Sequence, residues 1–178
     1  MTDGNVPILN VYVAGKFSDF PFIRKVKREL LEDPEGYHTS KARDRDIALK
    51  DTYDWTIAAE KVLSEDPDFL SLEKGAEYDI GGVKDANLLV VVFNDDYYAY
   101  RGSFTELGCA LGGAGKRVFV LDTNYRGHTT AKEEVKHRPK TSPATNCFYW
   151  HPDIRCRVNN IDDLKSEIKG FLSKIVHL

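Results

Sequence analysis

Two carboxylates stand out by their position. Glu106 lies in Gly102-Ser-Phe-Thr-Glu-Leu-Gly108, in the first turn of a predicted helix opened by Gly102-Ser103. A helix start presents free N–H groups and the positive end of the dipole, and both favour an ionised acid. Asp79 shares a helical stripe with Phe69, Leu72, Ala76 and Val83, where partial desolvation favours the neutral acid. One ionised and one protonated carboxyl, brought together, divide the labour of breaking a glycosidic bond. The first captures the developing positive charge at a sugar carbon, and the second gives a proton to the leaving group. Both residues also have plainer uses. Ser103-Phe-Thr-Glu106 is a capping-box pattern, and Asp79 stands just before Gly81-Gly82, which could end its helix.

Other chemistries lack their signatures. Gly108 to Lys116 is glycine-rich, but Ala110 and Arg117 stand where a phosphate-binding loop needs glycine and a hydroxyl residue. The turn Gly15-Lys-Phe-Ser-Asp-Phe20 lacks the later glycines of a dinucleotide fingerprint, and the five histidines have no zinc-ligand spacing. No metal or organic cofactor is therefore expected.

The elements that must position the two acids can be read from periodicity. Val6 to Ala14 is β-rich and ends at Gly15, and a helix follows from Asp19 or Phe20 to Leu31. Its Ile23, Val26 and Leu30 share one face, leaving Lys25, Lys27 and Arg28 toward solvent. Glu32 to Lys50 has no clear period, and Thr52 to Trp55 reads as a short strand. Asp66-Pro67 starts the helix that carries Asp79. Asn87 to Phe93 is a continuous apolar run, as in a central parallel strand, and the Glu106 helix spans Ser103 to about Ala114. Arg117 to Asp122 and Cys147 to Trp150 read as further strands, and Asn160 caps a terminal amphipathic helix. Between those strands, 123–146 reads as a mobile lid or insertion with one helical turn near Ala131 to Val135.

Strands alternating with helices imply an α/β fold, a parallel sheet with helices on both faces, and a ligand site beyond the carboxyl ends of the strands. The polar positions there are Gly15, Lys16 and Phe17, then Asp54 and Trp55, then Asn94 to Ser103, and Asp122 onward. Taken alone, Lys16 reads as a solvated charge, Phe17 as core and Asp54-Trp55 as an ordinary strand end.

Size and composition fit one domain over residues 1–178. The chain is 42% hydrophobic and 30% charged with a net charge of −3, which argues against disorder and offers no basic excess for nucleic acid or an anionic membrane. Its three cysteines form no CxxC, and no apolar run is long enough to span a bilayer, so a cytoplasmic protein with reduced thiols is expected.

Four segments together resemble the nucleoside 2-deoxyribosyltransferase family and its nucleotide N-glycosidase relatives. They are Val11 to Asp19, Asp79 to Val91, Gly102 to Leu111 and Gly115 to Val120. The resemblance implies a flavodoxin-like (Rossmann-like) sheet of about five strands. Glu106 matches the nucleophile of the family's G-x-x-x-E-L-G pattern, and Asp79 matches the acid that assists departure of the base. Gly15 and Phe17 match the first-strand loop bordering base and sugar, while Asp54 and Trp55 fall where relatives contact the base. Lys16 stands where transferases often carry an aromatic residue, and Arg101 follows where some carry a sugar-binding aspartate; both would suit a 5′-phosphate. The resemblance thus implies cleavage or transfer at the N-glycosidic bond of a (deoxy)nucleoside or its monophosphate, by a homo-oligomer. A non-catalytic nucleotide-binding sensor on the same fold is the alternative.

Overall fold

A computed structural model describes residues 8–31, 39–42, 45–64, 69–113 and 116–175. Its centre is a six-stranded sheet: β1 (Ile8–Ala14), β2 (Thr39–Ala42), β3 (Arg45–Asp51), β4 (Leu88–Phe93), β5 (Arg117–Asp122) and β6 (Ile154–Val158). The order across it is β2-β3-β1-β4-β5-β6. Five strands run parallel, and β2 pairs antiparallel with β3 at one edge. The parallel strands thus follow the flavodoxin-like order, with the switch point between β1 and β4.

The helices are α1 (Phe20–Leu31), α2 (Thr56–Val62), α3 (Phe69–Asp85), α4 (Arg101–Gly112), α5 (Ala131–Val135) and α6 (Ile161–Ile175). On one face α1 packs on β1 and α6 on β5 and β6; on the other α3 packs on β1 and α4 on β4 and β5. Covered on both sides, β4 buries all six of its residues, which explains its unbroken apolar run. The terminal helix starts where Asn160 predicts, since Asn160 Oδ1 accepts from the Asp163 N–H at 2.8 Å. Among the described residues no helix is long and apolar enough to cross a membrane.

Several sequence expectations are corrected. Lys27 does not face solvent; it is 5% exposed, and its ammonium meets Asp51 Oδ2 at 2.7 Å and Asp54 Oδ1 at 2.9 Å. Thr52 to Trp55 is not a strand. There Asp54 Oδ1 takes the Thr56 N–H and hydroxyl, a local cap that turns the chain into α2. Two strands lie inside the stretch that shows no period, because charges leave only Ile47-Ala-Leu49 apolar in β3. Cys147–Trp150 is a 3-10 turn, with Asn146 Oδ1 accepting from Phe148 N–H, and the last strand begins later at Ile154. The expected helix start at Asp66-Pro67 lies outside the described residues.

Segment 123–146 contains the expected helical turn at Ala131–Val135. It is tied to the sheet by a guanidinium. Arg138, its side chain fully buried, bonds Asp122 at the end of β5, Glu134 on α5 and Asp96 in the loop after β4.

Candidate active site

Strand β1 alternates its side chains across the sheet, and Tyr12 points toward the α3 and α4 face. A tyrosine in an apolar strand must find a partner for its hydroxyl when buried. Tyr12 is 0% exposed, and its hydroxyl lies 2.9 Å from Asp79 Oδ1 on α3 and 2.6 Å from Glu106 Oε1 on α4. The tyrosine ring fits because residue 82, on α3, is glycine; a Cβ there would stand 2.8 Å from Tyr12 Cδ2.

One hydroxyl carries one proton, so both contacts are hydrogen bonds only when a carboxyl supplies the second proton. Burial raises the pKa of Glu106 to about 8, the Tyr12 hydrogen bond lowers it, and the charge of Asp79 raises it further. Asp79 is also raised, first by burial, against the Tyr12 hydrogen bond and the charge of Lys27. Both contacts are met when one protonated carboxyl donates to Tyr12 and Tyr12 donates to the other, and burial pushes both acids toward the neutral form. Burial acts at Asp79 in the direction expected from the sequence, whereas at Glu106 it opposes the ionised form expected there. Helix α4 begins at Arg101, so Glu106 sits in its second turn rather than its first, and burial outweighs the dipole. The capping-box alternative also falls, because Ser103 lies inside the helix and Glu106 bonds Tyr12 instead.

The acids form the floor of a cavity of about 180 Å³ lined by Gly15, Lys16, Phe17, Trp55, Gly102 and Ser103, with Tyr98 and Tyr100 completing the wall. A wider hollow of about 680 Å³ lies between the end of α4 and the start of β6, away from the paired acids. The smaller cavity lies beyond the carboxyl ends of β1 and β4, where the strand order reverses.

Each wall residue is held. Gly15 is required for a close approach, since a Cβ would stand 2.3 Å from Ile23 Cδ1. Trp55 donates its indole N–H to the Val13 carbonyl at 2.7 Å and stacks on Phe17 with centroids 6.2 Å apart. Lys16 meets Asp95 Oδ2 at 3.2 Å and Asp19 Oδ2 at 3.9 Å, and its ammonium sits 4.6 Å from the Tyr98 ring centre. Ser103 is 2% exposed on the cavity wall.

Two of the sequence candidates do not line this cavity. Asp54 is engaged by Lys27 and Thr56. Burial pushes its carboxyl up, but those hydrogen bonds outweigh burial and hold it below the ordinary value. Arg101 is exposed at the first position of α4, and its carbonyl accepts from the Thr105 hydroxyl. Asp95, Tyr98 and Tyr100 lie in the segment Asn94 to Ser103 that the sequence places at the site without singling them out, whereas it gives Tyr12 no role. For Tyr12 a signal existed: a hydroxyl inside Val11-Tyr-Val-Ala14 demands a polar partner. Among the described residues no group of three or more His, Cys, Asp or Glu side chains converges as metal ligands would.

Compared with protein-family models the chain matches none, and no curated protein matches it.

Proposed function

We propose that this chain cleaves or transfers at the N-glycosidic bond of a (deoxy)nucleoside or its monophosphate, with Glu106 as nucleophile and Asp79 as acid. The observation that carries the reading is the Tyr12 bridge, which couples buried Glu106 and half-buried Asp79 on the floor of one cavity. Two carboxyl oxygens within 2.9 Å of one hydroxyl are close together. Acids bridged in this way suit double-displacement glycoside chemistry, in which the two carboxyl groups lie roughly 5–5.5 Å apart.

Burial holds Glu106 toward its neutral form, so the nucleophile must give up a proton before it attacks. The Tyr12 hydroxyl can correct this. It accepts the proton of Glu106 while passing its own to Asp79, leaving an ionised nucleophile and a protonated acid without net loss of a proton. Glu106 then attacks C1′ as the C1′–N bond breaks, and Asp79 gives its proton to the departing base. Water or a second base attacks C1′ of the glycosyl-enzyme, its proton returns to Asp79, and Glu106 leaves as carboxylate. Phe17 and Trp55 supply a stacked aromatic wall for a planar base. No cofactor takes part. The homo-oligomer belongs to the same reading and rests on the resemblance of sequence, while the cytoplasmic setting rests on the unpaired cysteines and the short apolar runs.

The test incubates the chain with nucleosides and monophosphates, with and without a second free base, and follows free base by chromatography. Base release by the wild type and its loss in Glu106→Gln are expected. Full turnover in that variant would eliminate the mechanism, and a ligand that stabilises the protein but stays intact would identify a sensor instead.

A further inference from the structure

The loop 94–100 between β4 and α4 has no regular structure, yet it carries Tyr98 and Tyr100 of the cavity wall and Asp95, the partner of Lys16. Such a loop needs external anchors. Tyr100 itself takes a left-handed backbone, φ 46° and ψ 38°, which disfavours a bulky side chain and persists only where its surroundings hold it. From inside, the Tyr100 hydroxyl accepts the N–H groups of Asn94 and Asp95 at 2.8 and 2.9 Å.

From outside, the loop is gripped at Asp96. Its carboxylate accepts from Arg138 Nε at 3.0 Å and from the Ser142 hydroxyl at 2.9 Å, and Arg138 Nη2 makes a further contact. The Asp96 carbonyl accepts from the Thr141 hydroxyl at 2.8 Å. Arg138 is itself immobilised. Its Nη1 reaches Asp122 Oδ2 at 2.8 Å and Glu134 Oε1 at 3.0 Å, and both acids are buried. A planar guanidinium with donors in a fixed fork transmits orientation in a way that an ammonium cannot.

Consecutive carboxylates are thus claimed by two different cations, Asp95 by Lys16 at the cavity and Asp96 by Arg138 behind it. We propose that Arg138 is a positioning residue for the cavity: through Asp96 it sets the loop, and through Asp95 it places Lys16 at the cavity edge. The inference rests on reading that cavity as the substrate site. Segment 123–146 then acts on the site as a brace, reaching it from behind through one side chain.

Two measurements test this. Hydrogen–deuterium exchange compares the wild type with Arg138→Lys, which keeps the charge and loses the fork. Amides in 94–100 are expected to exchange roughly tenfold faster while those of β4 and β5 are unchanged. Steady-state base release is expected to show KM raised roughly tenfold in Arg138→Lys with kcat within about twofold, because positioning for binding is lost and the acids are not. Lys16→Met should do the same, and the double variant should be no worse than the weaker binder of the two singles, since both cut one chain of contacts. A merely structural role would give additive losses. Asp96→Asn carries the same test should Arg138→Lys fail to fold, because it leaves the guanidinium with Asp122 and Glu134. Unchanged protection of the loop, or additive effects on KM, would overturn the proposal. Base release absent from the wild type would count against the functional reading, while exchange would still decide whether Arg138 holds the wall.

Discussion

The ring of Tyr12 occupies space that a side chain at Gly82 would fill: a Cβ there would stand 2.8 Å from Cδ2 and 2.9 Å from Cε2 of the tyrosine. The missing methyl lets a strand tyrosine run beside α3 and reach Asp79, three residues earlier on the same helix.

Gly82→Ala should therefore push Tyr12 out of line and cost about 1–3 kcal/mol of stability as an overpacked contact. Base release should fall roughly tenfold as the bridge lengthens. Gly81→Ala is the control, since its Cβ would meet nothing within 4 Å. Replacing a helical glycine there should stabilise by about 0.5–1 kcal/mol. Thermal melting and turnover of the two variants, side by side, check both statements; equal effects would contradict the close contact.

Tyr12→Phe keeps the buried ring and removes only the hydroxyl that joins the acids. On the proposed mechanism it removes the proton relay, so kcat should drop about 100-fold or more, in the range of lost general acid–base assistance. The Tyr12 hydrogen bond is also what lowers the Glu106 pKa against burial, so that pKa should move further up in the variant. Carboxyl titration by isotope-edited infrared spectroscopy, with Glu106 assigned by its glutamine variant, reads this directly.

Burial holds the folded pKa of Glu106 at about 8, well above the roughly 4.3 of an unfolded glutamate. Between these values the folded state binds more protons than the unfolded state, so stability falls as pH rises and the contribution is gone above about 8. Asp79, also raised, acts with the same sign. Denaturant titrations should show the wild type losing stability from about pH 5 to about pH 9, and Glu106→Gln flattening that slope. At pH 8.5 the variant should be the more stable of the two. Base release should also fall as pH rises through about 8, because the trio then lacks the proton the leaving base needs.

Lys27→Met is expected to cost about 3 kcal/mol, since it strands the largely buried carboxylate of Asp51 without its cation, while the more exposed Asp54 keeps its bonds from Thr56. Urea unfolding measures this. A loss below 1 kcal/mol would mean that water replaces the ammonium there, as it does for surface pairs.

Much of the architecture was legible because it is written in local periodicity. The run Leu88 to Phe93 and the stripe of α6 announce their burial, and Asn160 announces a helix start. The misreadings share a cause. Lys27 reads as a solvent-facing charge until β3 and its following loop deliver two carboxylates to it. Thr52 to Trp55 and Cys147–Trp150 have strand-like composition, but Asp54 and Asn146 cap the backbone locally and win.

Order and type of most elements, and with them two acids placed near strand ends, follow from the one-dimensional pattern of apolar and polar residues, because that pattern must match the period of the backbone. How strongly each acid is pushed toward its neutral form is a different kind of fact. It depends on a hydroxyl 67 residues from one carboxyl and 94 from the other, and on how much water the closed sheet leaves around them. Desolvation reverses the helix-start expectation at Glu106, and desolvation exists only once the layers have met.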